Sequence, residues 1–310
     1  MKQKILILGS QGMLGQELCL AFQKDSLYEV EGWDKEDIDL TDFSLAGEKI
    51  TAFHPDIVIN AVAYNAVDAC EENDEEYAKA LVLNRDIPRF LAEKSVEQNF
   101  LLVHYSTDAV FDGTLEEGKS DGGCAGGCCG GDCGGSDAGY AEDDMPNPLS
   151  RYGESKVLGE QAVLGIAKRY YIIRLSRLFG QPAKSTGAKK SFFSLMLEAA
   201  KTKDRVQAVQ NEKSCFAYAP DLAQATKELI EHEDSFGIYH LPNSNGATWY
   251  DGVRELYRLM GVAIPIEPVT SDAFPRPAKR PAFSVLRNTK RPPLRSWQEA
   301  LAEYCKEFYK

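Results

Sequence analysis

The chain has 310 residues, of which 44% are hydrophobic and 26% charged, a composition typical of a globular protein. The formal net charge of −12 argues against binding of nucleic acid or a membrane surface by bulk electrostatic attraction. No apolar run approaches the roughly 18 residues of a membrane helix. The first residues lack the pattern of a signal peptide, so we expect a cytoplasmic protein.

Apolar runs bounded by turn residues predict five strands in the first part of the chain, with helical patterns between them. The predicted strands cover residues 4–8, 28–33, 56–61, 100–106 and 170–178, and the predicted helices lie near 13–23, 43–53, 74–98 and 151–168. This alternation predicts an α/β fold with a doubly wound, mostly parallel sheet. After residue 180, short strands (206–209, 237–241, 264–269) and helices near 191–202, 220–233, 248–260 and 296–308 predict a smaller mixed α/β lobe.

The turn after the first predicted strand reads Gly9-Ser-Gln-Gly12-Met13-Leu14-Gly15. Glycines there permit a tight turn and a close approach of the backbone to a pyrophosphate, which the N-terminus of the next helix attracts. The spacing is G-x-x-G-x-x-G rather than G-x-G-x-x-G, and a plain strand-to-helix turn is the alternative. The strand before it, the helix after it and a later acid favour dinucleotide binding.

Asp34 closes the second predicted strand, where an acid commonly binds the ribose 2′-hydroxyl of NAD. Lys35 beside it suits a 2′-phosphate instead, so the sequence leaves NADH and NADPH both open. Asp39 and Leu40 follow as predicted contacts to the adenine edge. The alternative interpretation of Asp34 and Lys35 is a solvated acid–base pair in a loop.

Tyr152 and Lys156 lie four residues apart and share one face of a predicted helix. A nearby ammonium is expected to lower the pKa of a phenol from about 10, which suits a general acid. Ser106 and Thr107 end the fourth predicted strand, at the carboxyl edge where ligands bind in such sheets. The Thr107 hydroxyl is therefore expected to contact the same carbonyl oxygen as Tyr152. A lone Y-x-x-x-K also fits two surface residues of an amphipathic helix.

Together these motifs resemble the extended short-chain dehydrogenase/reductase family, and within it the dTDP-4-dehydrorhamnose reductases. Segments similar to those reductases keep their order along nearly the whole chain: NAVAYNAVDACEE (60–72), YSTDAVFDG (105–113), EDDMPNPLSRYGESKVLGE (142–160), YAPDLA (218–223), GIYHL (237–241), RPAKRPAFSVL (276–286) and PPLRSWQEALAEY (292–304). The resemblance implies a modified Rossmann fold. Residues 1–180 would form the NAD(P)-binding domain, to which 221–241 return, and 181–310 mainly the substrate-binding lobe.

The resemblance also implies residue roles. The implied cofactor contacts are Gly9, Gly12, Met13, Leu14, Gly15, Asn60, Ala61, Ala63, Tyr64, Tyr152 and Lys156, and the implied substrate contacts are Ala66, Val67, Asp68, Ser106, Thr107, Arg276 and Arg280. Thr107, Tyr152 and Lys156 would be catalytic, with hydride passing from the nicotinamide to C4 of a 4-keto sugar and a proton from Tyr152 to its oxygen. The product would be dTDP-L-rhamnose. For the two arginines, which suit a diphosphate, surface charge in a loop is the alternative.

Some relatives bind Mg²⁺ at a dimer interface, and Glu17 matches one acid of that site. No further metal ligand can be assigned from the sequence, and a homodimer stays open.

The chain departs from the family pattern at several positions near the implied site. Ala109 stands where tyrosine is usual, Arg174-Leu-Ser-Arg177 replaces Arg-Thr-Ser-Trp, and Ser214-Cys-Phe-Ala217 replaces a segment with a Pro-Thr pair. An insertion at 119–138 is rich in glycine and carries Cys124, Cys128, Cys129 and Cys133. Its composition predicts disorder, with a thiolate metal site or redox pairing as alternatives.

Other functions on the same scaffold also stay open. A reductase or epimerase for another nucleotide sugar fits the motifs, and a dehydratase would use an acid at Asp108. A non-catalytic NADP-binding subunit, similar to the partner subunit of methionine adenosyltransferase, would keep the fold without turnover. A metal-thiolate protein is the third class.

Overall fold

A computed structural model describes residues 2–115, 138–185 and 190–309. The strands of this part of the chain are β1 (Gln3–Leu8), β2 (Tyr28–Trp33), β3 (Ile57–Asn60), β4 (Leu101–Thr107), β5 (Tyr170–Leu175), β6 (Leu178–Phe179), β7 (Val206–Val209), β8 (Lys213–Ser214), β9 (Ala217–Tyr218), β10 (Gly237–His240), β11 (Asn243–Ser244), β12 (Ala247–Thr248), β13 (Ile266–Val269) and β14 (Leu294–Ser296). The helices are α1 (Met13–Gln23), α2 (Phe43–Phe53), α3 (Ala69–Glu72), α4 (Asp74–Leu81), α5 (Ile87–Gln98), α6 (Arg151–Ile166), α7 (Phe192–Thr202), α8 (Ala219–Glu231), α9 (Trp249–Met260) and α10 (Trp297–Phe308). No helix in these ranges combines the length and apolarity of a membrane span.

Six strands form the central sheet, in the order β10-β5-β4-β3-β1-β2, and every neighbouring pair is parallel. Ile5, Leu6, Ile7 and Leu8 of β1 are all fully buried, as expected for a parallel strand covered on both faces. The strand order reverses between β1 and β3, which creates a crevice at their carboxyl ends. The predicted α/β, Rossmann-like fold with a mostly parallel sheet is confirmed.

Hydrophobic cores lie on both faces of this sheet. On one face, Leu18 and Phe22 of α1 pack with Leu222 of α8. On the other, Ile50 of α2 packs with Leu91 of α5. A separate aromatic core holds α7, α9 and α10 together, with Phe193, Phe216, Leu256, Trp297 and Tyr304 among its buried members.

Two predicted elements differ from those observed. The single helix predicted at 74–98 is divided into α4 and α5 by a π-helical turn, Val82–Asp86. The strand predicted at 170–178 ends at Leu175, because Arg177 adopts a left-handed backbone with φ of 38° that an extended strand does not tolerate. The chain then begins the short strand β6.

Strand β10 follows several C-terminal elements along the chain, yet it pairs with β5 at the edge of the central sheet. This pairing supports the division that we propose, with 1–180 and 221–241 in the dinucleotide domain and the rest of 181–310 in the substrate lobe. Of the insertion at 119–138, all residues but Ala138 lie outside the described ranges, and so do its four cysteines.

Candidate active site

The turn between β1 and α1 is built for close backbone packing. Gly9 has a φ of 78°, which favours glycine, and a Cβ on Gly15 would lie 2.0 Å from the Gly9 carbonyl oxygen. Helix α1 begins directly after Gly12, and no side chain caps it. The positive end of the helix is therefore open to an anionic ligand.

Asp34 ties the glycine turn to the end of β2. Its carboxylate accepts hydrogen bonds from the backbone N–H of Gln11 and of Lys35, both at 2.9 Å. These bonds fix the acid at the edge of the crevice, beside the glycine turn. The arrangement suits a ribose, as the sequence predicts.

A cavity of about 1160 Å³ runs from the glycine turn to Tyr152. The predicted residues that line it are Gly9, Gly12, Met13, Leu14, Gly15, Asp34, Lys35, Asp39, Leu40, Ala61, Ala63, Ser106, Thr107, Tyr152 and Lys156. Its volume exceeds the roughly 300–1,000 Å³ of ordinary small-molecule pockets, which suits a dinucleotide. Together with the uncapped helix and the tight glycine turn, the cavity fits a nicotinamide dinucleotide.

Tyr152 lies in the first turn of α6. Ser150 caps this helix by accepting a hydrogen bond from the Gly153 N–H at 3.1 Å. The Arg151 N–H donates to Glu71 Oε1 at 2.6 Å. These contacts anchor the N-terminus of α6 beside the end of β4, where Thr107 lies.

The Lys156 side chain is anchored by the backbone of β4. Its Nζ donates to the Tyr105 carbonyl at 2.6 Å, and the side chain is buried. Burial lowers the pKa of Lys156 to about 8, against an opposing effect of Glu160.

Burial raises the pKa of Tyr152 to about 12. A hydrogen bond with Thr107 and the charge of Arg280 lower it, whereas Asp108 and Cys70 raise it further. The expectation that Lys156 lowers the pKa of this phenol is therefore wrong for this structure. Desolvation dominates, and it favours the neutral phenol.

A second cavity, of about 250 Å³, adjoins the first at Thr107, Tyr152 and Arg177, which line both. Val67 and the basic residues Arg276, Lys279 and Arg280 line its other side. The positive lining suits an anionic group such as a diphosphate. A nucleotide sugar with its diphosphate near these basic residues would have its sugar next to Tyr152.

Both predicted arginines of this cavity are paired with carboxylates. Arg280 Nη2 donates to the two oxygens of Asp68 at 3.0 and 3.1 Å. Arg276 forms an ion pair with Glu212, which is buried and also lines the cavity. Glu212 was not among the predicted site residues.

Four predicted contacts line neither cavity: Asn60, Tyr64, Ala66 and Asp68. Asn60 is buried and hydrogen-bonds His104 Nδ1 and the Val62 N–H. The Tyr64 hydroxyl donates to Glu76. The polar groups of Asn60 and Tyr64 are thus engaged within the protein, and Asp68 is paired with Arg280. The ligand contacts of these four residues stay a prediction.

Other lining residues escaped the sequence motifs. The guanidinium of Arg177 lies 4.1 Å from the ring centroid of Trp249 and donates to the Ala247 and Glu212 carbonyls. Burial lowers the pKa of Arg177 to about 10. Arg177 belongs to a segment that departs from the family pattern, and this departure was the one available signal. Trp249 lies at the start of α9, far along the chain, and no sequence signal pointed to it.

No group of three or more His, Cys, Asp or Glu side chains within residues 2–115, 138–185 and 190–309 is arranged to hold a metal ion. Burial and the charge of Glu307 raise the pKa of Glu17. The Mg²⁺ expectation at Glu17 gains no support from this arrangement.

Comparison with known proteins matches nearly the whole chain to one family. Residues 3–310 match the family described as RmlD substrate binding domain. The chain is 35% identical to a probable dTDP-4,6-dihydroxy-2-methyloxan-3-one 4-ketoreductase of Streptomyces antibioticus, covering 96% of this chain and 93% of that protein. It is also similar to two solved structures of dTDP-4-dehydrorhamnose reductases. That of Clostridium acetobutylicum has a TM-score of 0.85 and 32% identity, covering 98% of this chain and 99% of that one. That of Bacillus anthracis, in complex with NADP, has a TM-score of 0.84 and 27% identity, covering 99% and 100%. The chain therefore belongs to the RmlD substrate binding domain family.

Proposed function

We propose that this protein is an oxidoreductase that uses NAD(P)H to reduce the C4 keto group of dTDP-4-dehydro-6-deoxy-L-mannose. The product is dTDP-L-rhamnose, a precursor for cell-surface polysaccharide. The reaction deposits a hydride on C4 and a proton on its oxygen. The nucleotide-sugar substrate, rather than a nucleic acid or a membrane, is the proposed partner.

The observation that carries the proposal is the meeting of the two cavities at Tyr152 and Thr107. A long cavity suited to a dinucleotide and a basic cavity suited to a sugar diphosphate share these two hydroxyls. A carbonyl bound between them would receive a hydride from one side and a proton from the other. Two solved reductases of the same family, one with NADP bound, share the fold across the chain.

When bound, the dihydronicotinamide supplies the hydride. Gly9, Gly12 and Gly15 would hold the diphosphate of the cofactor near the N-terminus of α1. Lys156, anchored by the Tyr105 carbonyl, lines the long cavity and would hold the nicotinamide ribose. Tyr152 donates its proton to the C4 oxygen, and its neutral form at physiological pH follows from its raised pKa.

The preference between the two cofactors depends on Asp34 and Lys35, which both line the long cavity. Asp34 favours a free 2′-hydroxyl, and Lys35 favours a 2′-phosphate. The NADP complex of the Bacillus anthracis reductase supports NADPH. We propose NADPH as the main cofactor, with NADH as the alternative.

A second candidate is 4-keto reduction of another dTDP-linked deoxy sugar. The Streptomyces antibioticus relative carries the name of such a 4-ketoreductase and is 35% identical. Arg177 occupies the junction of the two cavities, so it would contact the sugar. The same site chemistry serves both substrates, and the sugar hydroxyls decide between them.

Dehydration and a purely regulatory role are less well supported. Asp108 accepts hydrogen bonds from the Thr107, Ser214 and Ser284 hydroxyls, so both of its oxygens are already engaged within the protein. A regulatory subunit needs neither Tyr152 nor Thr107, and both line the junction of the cavities. A homodimer remains an open proposal.

The test is the loss of NADPH absorbance with dTDP-4-keto-L-rhamnose made by coupled upstream enzymes, repeated with NADH. Rapid oxidation that yields dTDP-L-rhamnose is the expected result, with Tyr152→Phe as the matched inactive control. Tight NADPH binding without its oxidation in the presence of any dTDP-4-keto sugar would refute the reductase and favour the regulatory subunit. Oxidation of NADPH by a dTDP-linked 4-keto-2-deoxy sugar, with none by dTDP-4-keto-L-rhamnose, would favour the second candidate.

A further inference from the structure

Arg177 is held at the junction of the two cavities by groups from the substrate lobe. Its guanidinium carbon lies 4.1 Å from the ring centroid of Trp249 and 5.5 Å from that of Phe216. Nη1 donates to the Ala247 carbonyl at 2.7 Å, and Nη2 donates to the Glu212 carbonyl at 2.9 Å. Two aromatic rings and two backbone oxygens therefore fix the position and the orientation of the guanidinium.

The two carbonyls use only part of the hydrogen-bonding capacity of Arg177. A guanidinium has five N–H donors in a planar fork, and two of them are engaged here. Across residues 2–115, 138–185 and 190–309, Nε has no hydrogen-bond acceptor and no carboxylate lies within ion-pair distance of the guanidinium. Nε is not sealed in the core, so a ligand in the cavities that Arg177 lines can reach it.

Two carboxylates near Arg177 are engaged by other groups. Glu212 forms an ion pair with Arg276, and Asp108 accepts hydrogen bonds from two serine hydroxyls. Burial lowers the pKa of Arg177, whereas the charges of Asp108 and Glu212 raise it, so both still stabilise the cation. Because the charge of Arg177 is compensated in this way, a neutral oxygen suits its free donors better than a further anion.

The other polar side chains that line both cavities have partners or roles of their own. Ser176 Oγ hydrogen-bonds Ser214 Oγ at 2.8 Å. Under the proposed function, the hydroxyls of Tyr152 and Thr107 bind the C4 oxygen. Of the described residues that line both cavities, Arg177 alone carries a charge. It is therefore the strongest donor left for a second oxygen of the sugar.

The sugar has one hydroxyl beside the reacting carbonyl. In a 4-keto-6-deoxyhexose, the neighbours of C4 are C3, which carries a hydroxyl, and C5, which carries the methyl group and the ring oxygen. With the C4 oxygen at Tyr152 and Thr107, the C3 hydroxyl lies next to the junction that Arg177 lines.

We infer that Arg177, oriented by its stack on Trp249, donates a hydrogen bond to the C3 hydroxyl and selects 4-keto sugars that carry this group. Arg177 is then a specificity-determining residue. The inference rests on the proposed function. It holds for both candidate substrates, since dTDP-4-keto-L-rhamnose and a 4-keto-2-deoxy sugar each carry the C3 hydroxyl.

The experiment is a calorimetric titration of dTDP-L-rhamnose, and of its 3-deoxy analogue, into the protein with NADPH bound. NADPH does not transfer a hydride to an alcohol, so both complexes are stable and no turnover is needed. The wild type is expected to bind the 3-deoxy analogue about 10–100-fold more weakly, as for the loss of a hydrogen bond to a charged group. Equal dissociation constants of the two ligands would overturn the inference.

Arg177→Met removes the donors, and it is expected to bind the two ligands with equal dissociation constants. Retained binding of dTDP, which has no sugar, shows that the variant is folded. A preserved preference for the hydroxylated ligand would assign the recognition to another residue and refute the inference. A loss of NADPH affinity with an unchanged preference would place Arg177 at the cofactor and refute it as well.

Trp249→Leu is the second variant, because Arg177→Met leaves the Ala247 and Glu212 carbonyls without a donor. It keeps both carbonyl bonds but removes the ring that stacks on the guanidinium, and it is expected to reduce the preference for the C3 hydroxyl. An undiminished preference would contradict the role of the stack.

Lys279→Met is the matched control, because Lys279 lines the second cavity but not the first. It is expected to weaken binding of both ligands by the same factor and to keep the preference between them. A lost preference in this variant would contradict the assignment to Arg177. Wild-type turnover of dTDP-4-keto-L-rhamnose tests the proposed function separately, since a protein that prefers the C3 hydroxyl without reducing the ketone would refute only the reductase.

Discussion

Substitution of Gly15 by alanine tests the assignment of the cofactor turn. The new Cβ would lie 2.0 Å from the Gly9 carbonyl oxygen and 2.8 Å from the Ser10 Cα. A close C···O contact needs about 3.3 Å, so the turn must open by roughly 1.3 Å. Such overpacking costs about 1–3 kcal/mol of folding free energy. A displacement of this size at a binding turn is expected to weaken NADPH binding about 100-fold, or about 2.7 kcal/mol.

The assay combines thermal unfolding with a fluorescence titration of NADPH. Gly165→Ala is the matched control, because a Cβ there meets no atom within 4 Å and the residue lies in α6. It is expected to stabilise the protein by about 0.5–1 kcal/mol and to leave the NADPH dissociation constant unchanged. If Gly15→Ala binds NADPH as tightly as the wild type, the turn does not hold the cofactor.

Three further predictions concern residues that line one or both cavities. Tyr152→Phe is expected to lower kcat by about 10²–10⁴-fold and to leave the NADPH dissociation constant unchanged; normal turnover would show that another group donates the proton. Lys156→Met is expected to abolish turnover. It is also expected to raise the free energy of unfolding at pH 7 by about 1–3 kcal/mol. Burial lowers the pKa of Lys156 to about 8, so the folded state loses stability when it keeps the buried ammonium charged. The folded wild type loses this proton at lower pH than the unfolded chain, so its stability should rise between about pH 8 and 10.5 in urea unfolding curves, whereas that of the variant should not. Arg280→Met is expected to raise KM for the nucleotide sugar about 10–100-fold with little change in kcat, since it would remove the proposed charged hydrogen bond to the diphosphate; an unchanged KM would place the diphosphate elsewhere.

The local elements followed from the sequence because their signals are local. The glycine turn lies between a short apolar run and a helical pattern, and helix α1 begins and ends where the pattern predicts. The strand–helix alternation was enough for a parallel sheet. Tyr152, Lys156 and Thr107 were identified by their motifs and their positions at the ends of elements.

The pKa values of Tyr152 and Lys156 depend mainly on burial, and the spacing of residues along a helix does not predict burial. Four residues separate Tyr152 from Lys156, yet the ammonium turns to the Tyr105 carbonyl and the pKa of the phenol rises. The fifth predicted strand ended at Leu175 because Arg177 has a left-handed backbone conformation, which no sequence pattern predicted.

By itself, the sequence determined the fold class, the glycine turn between β1 and α1 and the pair of hydroxyls at Thr107 and Tyr152, since each depends on neighbours within a few residues or on an ordered series of motifs. Only the tertiary structure decided which groups surround them. Asp108 meets Ser214 and Ser284 across 106 and 176 residues, and Arg280 meets Asp68 across 212. Such contacts join segments that lie far apart in the chain, and their energies depend on the water that burial removes.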